Sequence, residues 1–182
     1  MNHTRAHGRP SPMAGFSLTE TLVVLALVGI LLGLAVPGMG ALRVRQQLQS
    51  VAEDIWGSLM LARSQAMVQQ ERVVLCPAAS ATACDAQKRW DQGWLLFVDR
   101  NHNDSRDADE PVLQSRGALP AGVLLQGNST VHGGVRYGPE GLGQGLSGTL
   151  TVCKPGVPEQ WKVVINSLGR PRMDKLDAAD CP

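Results

Sequence analysis

The sequence GFSLTE at Gly15–Glu20 opens the stretch that decides the fold, and an almost unbroken apolar run follows it to Val36. A helix from Phe16 to Val36 would span roughly 30 Å, about the thickness of the hydrocarbon core of a bilayer. Glu20 is the only charged residue of this run. Because a carboxylate within a membrane helix is costly, by about 2.5 kcal/mol or more, Glu20 predicts a function that involves a partner.

The residues before Phe16 are mostly polar, small or basic, and Arg5 and Arg9 carry their only formal side-chain charges. The positive-inside rule keeps such a segment in the cytoplasm and places everything after Val36 in the periplasm or outside the cell. An ordinary secretory signal would be cleaved after its apolar region, where Ala35–Pro37 is a poor site. Neither that signal nor a plain membrane anchor explains Glu20.

A short basic leader, a Gly15-Phe16 junction, Glu20 at the fifth position after it and an apolar helix together resemble the class III signal of type IV pilins and type II secretion pseudopilins. The resemblance implies that a prepilin peptidase cuts between Gly15 and Phe16 and methylates the new amine of Phe16. It also implies that Glu20 meets this amine on a neighbouring pilin or pseudopilin subunit, since a buried carboxylate needs an opposite charge.

The resulting organisation has three segments: a cleaved leader at 1–15, a transmembrane and filament-core helix at 16–36, and a periplasmic globular domain at 37–182. The chain would be a single-pass protein of the inner membrane before assembly and part of a pilus filament afterwards. With 182 residues it is long enough for one sizeable core beyond the anchor. Its net charge of +1 predicts no strong general attraction to nucleic acid.

Beyond the anchor, periodicity predicts one helix and then many short strands. Pro37 and Gly38 predict a kink or a locally melted segment. Apolar residues at spacings of three and four then predict an amphipathic helix to about Val68: Val44, Leu48, Val51, Ile55, Leu59, Ala62 and Ala66. The strand candidates are 72–76, 90–99, 111–115, 123–126, 131–137, 149–153, 161–166 and 172–173. This order predicts an α+β fold, with the helix packed on one or two antiparallel sheets, and the resemblance implies a pilin-like fold.

The run WDQGWLLFVD at Trp90–Asp99, with Asn101, Asp104, Asp107 and Glu110 behind it, resembles the GspH/FimT family of minor pseudopilins.

The loop that begins at Asp99 can also be interpreted as a calcium site. Oxygen side chains fall at the ligand positions of a calcium loop, namely Asp99, Asn101, Asn103, Asp107 and Glu110. However, Asp104 stands where such a loop needs glycine, and strands rather than helices flank it. Because Asn and Asp are common in turns, a structural hairpin is the favoured alternative, without a metal.

Four cysteines, Cys76, Cys84, Cys153 and Cys181, lie beyond the membrane segment, where disulfides form. They allow three pairings. We favour Cys76 with Cys84, which closes a short loop, and Cys153 with Cys181, which ties the tail to a strand, although the sequence alone does not choose among the three. Without a Cys-x-x-Cys motif, neither a thioredoxin-like nor a zinc site is expected.

The segment Gly169–Arg172, which reads GRPR, has Lys175 close behind it. Arginine binds phosphate through two parallel hydrogen bonds, and residues two apart in an extended chain point the same way, so Arg170 and Arg172 form a candidate clamp. Lys154 and Lys162 would add charge if their strands are adjacent. Charge pattern alone favours a polar turn instead. A Gly-Arg-x-Arg motif in this region resembles that of FimT-type minor pilins, which bind DNA for uptake in natural transformation.

The sequence predicts no enzyme, because His102 and His132 have no visible partner for a triad and no paired-carboxylate site can be assembled. No cofactor is expected either. Two functions therefore compete. The first is a minor pilin that binds the phosphate backbone of double-stranded DNA through Gly169, Arg170, Arg172 and Lys175. The second is a structural pseudopilin of a type II secretion system or type IV pilus, which acts through protein contacts alone.

Overall fold

The structure is a computed structural model that describes residues 17–85, 87, 89–144, 147–177 and 181, except for the side chains at 32 and 34–39. Gly15 and Phe16, the predicted cleavage junction, therefore lie outside the described residues. The chain divides between Leu42 and Arg43 into two units. The second unit, which runs to the C-terminus, contains the core and both sheets.

One long helix, α1, runs from Leu18 to Gln69. Ser17 caps its start, since the Ser17 Oγ accepts a hydrogen bond from the backbone N–H of Glu20 at 3.2 Å. It ends before Gln70, whose φ of 54° is the left-handed conformation common after a helix. The helix is continuous through Pro37, so the locally melted segment that we expected there is absent.

In the described part of the chain, eight strands follow the helix and form two antiparallel sheets. They are β1 Val73–Pro77, β2 Trp94–Val98, β3 Val112–Arg116, β4 Leu124–Gly127, β5 Val135–Tyr137, β6 Gly148–Cys153, β7 Glu159–Ile165 and β8 Pro171–Asp177. The first sheet has the order β3-β2-β1-β5, and the second has the order β4-β6-β7-β8. Strand β8 is thus an edge strand, with β7 as its neighbour. The α+β class and the long helix packed on two antiparallel sheets that we expected are confirmed.

The apolar stripe of α1 packs against both sheets in one core. Leu48, Ile55 and Leu59 are fully buried in it, as the periodicity predicted. A polar contact also anchors the helix, because the indole N–H of Trp94 donates to the Ser58 hydroxyl at 2.9 Å. Burying one such aliphatic side chain contributes about 1.5–3 kcal/mol, so this stripe fixes the helix on the sheets.

Some strands differ in length from their predictions. The predicted strand from Trp90 opens as a short 3-10 helix, Trp90–Gln92, and becomes extended only after Gly93. At Gly93, φ is 112° and a Cβ would lie 2.1 Å from a backbone oxygen of β3, so only glycine fits. Strand β5 is shorter than expected because a turn closes at Gly134, and β8 is longer because it pairs with β7 along its whole length.

Both disulfides have the pairing that we favoured. Cys76 is bonded to Cys84, with their Cα atoms 5.7 Å apart, and Cys153 is bonded to Cys181, with their Cα atoms 5.6 Å apart. The first holds the loop after β1 over a small second apolar cluster that includes Leu95. The second attaches the C-terminal tail to β6, beside the strands that carry the candidate site.

Candidate functional site

The turn between β7 and β8 is fixed by Asn166. Its side-chain Oδ1 accepts hydrogen bonds from the backbone N–H groups of Leu168 at 3.0 Å and Arg170 at 2.9 Å. Its own backbone N–H donates to the Arg170 carbonyl oxygen at 3.2 Å. An Asn that bonds nearby backbone groups in this way stabilises a tight turn. The backbone on which Arg170 stands is therefore held in place.

Gly169 is required at this turn for two reasons. Its φ of 73° lies in the left-handed region, which other residues rarely adopt. A Cβ there would also lie 2.6 Å from the backbone nitrogen of Gly143 and 2.8 Å from a ring carbon of Tyr137. The glycine of the GRPR segment thus has a structural role beneath the two arginines.

Tyr137 supports the same turn from below. It is fully buried, and its hydroxyl donates to the Gly169 carbonyl oxygen at 2.9 Å. Burial raises the pKa of Tyr137 above its ordinary value, so the phenol stays neutral and remains a donor. This hydrogen bond links the first sheet to the turn of the second.

Arg170 and Arg172 line one open depression of about 420 Å³, together with Ser147, Asn166 and Ser167 among others. Arg170 is exposed, and the Arg172 side chain is 72% exposed. The structure therefore brings the two predicted arginines to one accessible surface, where polar groups of the turn surround them.

Further charges lie on the same outer face of the second sheet. Asp174 is two residues beyond Arg172, and its Oδ2 lies 3.2 Å from the Arg172 Nε. Lys162 is the cross-strand partner of Asp174, and directly opposed residues share a face. The face thus carries Arg170, Arg172 and Lys162 against one nearby carboxylate.

Lys175 does not join this surface, so the prediction that placed it beside the arginines was wrong. It lies three residues beyond Arg172, and side chains alternate between the two faces of a strand. Its Nζ lies 3.1 Å from Oε2 of the buried Glu159, which also has the Arg45 Nε at 3.6 Å. Lys154 is remote as well, since it follows the far end of β6.

One side chain that the sequence analysis did not single out reaches the hairpin. The Trp56 indole N–H donates to the Pro171 carbonyl oxygen at 3.2 Å. Trp56 lies on α1, 115 residues before Pro171 in the chain. No local pattern signals such a contact, because it depends on how the helix packs beside the edge strand β8.

The oxygen side chains of the 99–110 loop mostly bond the loop itself. Asp99 accepts the backbone N–H groups of Asn103 and Asp104, each at 3.2 Å. The amides of Asn101 and Asn103 both donate to Asp107. Glu110 accepts two backbone N–H groups as well, those of residues 100 and 107. These contacts are typical of a polar hairpin loop.

Two guanidinium groups neutralise the acidic end of this loop. The Arg72 Nε lies 3.3 Å from the buried Asp99 carboxylate, and Arg72 also pairs with Asp104. Asp104 pairs in addition with Arg136 at 2.7 Å. In the part of the chain that the structure describes, no group of three His, Cys, Asp or Glu residues is arranged to hold a metal. The contacts favour the hairpin interpretation over the calcium interpretation.

Among its described side chains, the first half of α1 exposes apolar residues, for example Leu22, Leu25 and Ile30, and Glu20 in the first turn is exposed too. Over the described residues, no helix combines the length and apolarity that a membrane span requires. Since Gly15 and Phe16 are not described, the cleavage and assembly roles stay predictions.

Residues 51–169, more than half of the chain, match the family described as Type II transport protein GspH. The pilin-like protein PilA1 of Thermus thermophilus is 29% identical over 169 residues, which cover 88% of this chain and 97% of that protein. This chain therefore resembles that pilin-like protein along nearly its whole length.

Two solved structures share the fold. The type IV minor pilin FimU of Pseudomonas aeruginosa PAO1 has a TM-score of 0.59 at 20% identity, over 75% of this chain and 97% of that one. The minor pseudopilin EpsH of the Vibrio cholerae type II secretion system has a TM-score of 0.51 at 11% identity, over 72% and 97%. The fold agrees with the family match, which shows that this chain belongs to the GspH family and is a GspH/FimT-type minor pilin or pseudopilin.

Proposed function

We propose that this minor pilin binds DNA through the β7–β8 hairpin and serves DNA uptake in natural transformation. The observation that carries the proposal is the shared open depression lined by Arg170 and Arg172. A guanidinium stays charged at any relevant pH and matches the geometry of a phosphate. Because phosphate contacts carry no base information, binding should not depend on sequence.

The charge balance of this face predicts weak binding. Arg170, Arg172 and Lys162 can contact two or three phosphates, while Asp174 competes for Arg172. We expect an affinity of about micromolar or weaker at physiological salt. The logarithm of the binding constant should fall with the logarithm of salt concentration with a slope of magnitude roughly 2–3, at about 0.9 per neutralised phosphate.

A salt titration of the full chain, purified in mild detergent, against duplex DNA tests this proposal. Replacing both arginines, Arg170→Gln with Arg172→Gln, should remove most of the binding and leave the fold intact, since both side chains are exposed. Lys175→Gln is the matched control, because it removes a positive charge from the opposite face of β8 while Arg45 still pairs with Glu159. In cells the double variant should transform poorly yet assemble pili. Equal binding by the wild type and the double variant would refute the proposal.

Assembly is the second part of the proposed function. We infer that prepilin peptidase cuts after Gly15 and methylates Phe16, and that the chain stays in the inner membrane until it assembles into a filament. Glu20 would then pair with the amine of a neighbouring subunit. The exposed apolar half of α1 supports this proposal, because an apolar helix surface needs a lipid or protein environment. We expect no enzymatic activity from a subunit of this kind.

Maturation can be tested on the same protein. Gly15→Val should leave an unprocessed precursor, because a bulkier residue replaces the one at the predicted junction. Glu20→Ala should be processed normally but fail to enter filaments, since the charge that attracts the amine is lost. Mass spectrometry of the membrane-extracted wild type should find a methylated Phe16 at the N-terminus. An N-terminus that begins after Val36 would contradict this assignment.

A structural subunit without DNA binding is the alternative. The Arg172–Asp174 ion pair favours it, because an internal carboxylate reduces the field that a phosphate would meet. The net charge of +1 also favours a subunit that does not bind DNA. Glu20-dependent filament assembly, combined with no binding of either single-stranded or duplex DNA by the wild type at low salt, would establish this alternative.

A further inference from the structure

The contact between Trp56 and the hairpin extends the candidate site beyond its charges. The Trp56 indole N–H donates to the carbonyl oxygen of Pro171, the residue between Arg170 and Arg172. We infer that Trp56 is a stacking platform for an unpaired base, so that this site takes single-stranded DNA in preference to duplex. This inference rests on the proposed phosphate contacts and adds a substrate class to them.

The surroundings of Trp56 leave part of its ring available. Its polar N–H is already bonded, so the indole is anchored at the free edge of β8. The residue nevertheless remains 37% exposed. An aromatic side chain held in this way presents an apolar surface at little further cost in conformational entropy.

The other three tryptophans have structural positions instead. Trp90 and Trp94 are almost completely buried and donate their N–H groups inside the fold. Trp161 is partly buried and bonds Glu159, on the core-facing side of the second sheet. Trp56 is therefore the tryptophan of this chain that combines exposure with a position beside the arginines.

The positive charges and the exposed aromatic ring together predict the class of ligand. A cationic surface that holds the backbone, with an adjacent aromatic ring, is the arrangement by which proteins bind single strands without sequence preference. In a duplex every base is already stacked and paired, so exposing one to Trp56 would cost free energy. The chain is nearly neutral, so its electrostatic attraction to DNA is weak. Stacking therefore supplies a large share of the binding free energy, and it favours a single strand, whose bases are free to stack.

The test compares oligothymidine of about 20 nucleotides with duplex DNA of equal length, on the full chain in mild detergent. Trp56→Leu should weaken binding of the single strand about tenfold and leave duplex binding unchanged. Trp56→Phe also lacks the N–H but keeps a ring, and it should retain most of the preference. This pair separates stacking from the hydrogen bond to Pro171. Met60→Ala, a neighbouring position on the helix with 39% exposure, is the matched control and should bind as the wild type does.

Intrinsic fluorescence gives a second readout. Oligothymidine should quench the tryptophan fluorescence of the wild type and of the Met60→Ala protein but not that of Trp56→Leu. The reason is that stacking on a base changes the emission of the exposed indole of Trp56. Binding of both DNA forms by Trp56→Leu as tightly as by the wild type would overturn the inference and leave the duplex proposal standing. If Trp56→Leu binds both DNA forms as the wild type does but forms fewer filaments, Trp56 contacts another subunit. That result also overturns the inference. If the wild type binds neither DNA form, the proposed function itself fails.

Discussion

Gly169 and Gly156 both have a φ in the left-handed region, at 73° and 79°, yet their surroundings differ. A Cβ at Gly156 would meet open space, whereas one at Gly169 would meet the backbone of Gly143 and the ring of Tyr137. We expect Gly156→Ala to lower the free energy of unfolding by about 1 kcal/mol through backbone strain alone. Gly169→Ala should cost roughly 1–3 kcal/mol more through overpacking. Urea denaturation of the two variants measures the difference.

The same pair also tests whether the turn positions Arg170. Gly169→Ala should weaken DNA binding under conditions where the protein is still folded, since the backbone beneath the arginine must shift. Gly156→Ala is the control, because it lies in a different turn and should bind DNA as the wild type does. Equal destabilisation by the two substitutions would show that the close approach at Gly169 does not constrain the turn.

Residue by residue, the candidate site was predictable only in part. The arginine pair could be found because two residues at a spacing of two share a face of a strand. The same rule places Lys175 on the other face of the strand, because it lies an odd number of positions from Arg172. Applied to Lys175, the rule would have excluded it from the site. Trp56 could not be found, because its contact with Pro171 joins residues 115 positions apart. The oxygen-rich 99–110 loop was ambiguous, since carboxylates serve metal ions and backbone N–H groups equally well.

At the scale of one element, the buried stripe of α1 makes a clear prediction. Ile55 is fully buried between the helix and the sheets, whereas Val68 near the end of the same helix is 76% exposed. Ile55→Ala should lower the free energy of unfolding by about 2–5 kcal/mol, because it removes apolar contacts and leaves a cavity. Val68→Ala is the control and should stay within about 0.5 kcal/mol of the wild type. Chemical denaturation tests both, and a similar small effect at the two positions would contradict the packing.

The elements themselves were largely predictable, for local reasons. Helical periodicity located the end of α1 within about a residue, because a sustained apolar stripe is a strong signal. Strands with apolar runs, such as β1, were found within about a residue of their bounds. Strand β8 was underestimated, because it is polar and depends on its ladder with β7. The pairing of β1 with β5, which are distant in sequence, follows from packing of the whole chain and has no local signature.

At the scale of the whole molecule, the unit from Arg43 onward contains one apolar core shared by the helix and both sheets. Both disulfides lie within it as well. A periplasmic fragment beginning at Arg43 should therefore fold without the first half of α1. Circular dichroism and cooperative unfolding would show this, and an unfolded fragment would mean that the core needs the residues before Arg43.

The two disulfides of that fragment should stabilise it unequally. Cys76 and Cys84 are 8 positions apart, and Cys153 and Cys181 are 28 apart. Because the entropy that a cross-link removes from the unfolded chain grows with loop length, replacing the first pair by Ser should cost about 2.5 kcal/mol and the second about 3.5 kcal/mol. Urea denaturation of the two double variants compares them, and non-reducing peptide mapping checks the pairing in the wild-type fragment. Recovery of Cys76 joined to Cys153 would contradict both loop closures, and with them the attachment of the C-terminal tail to β6.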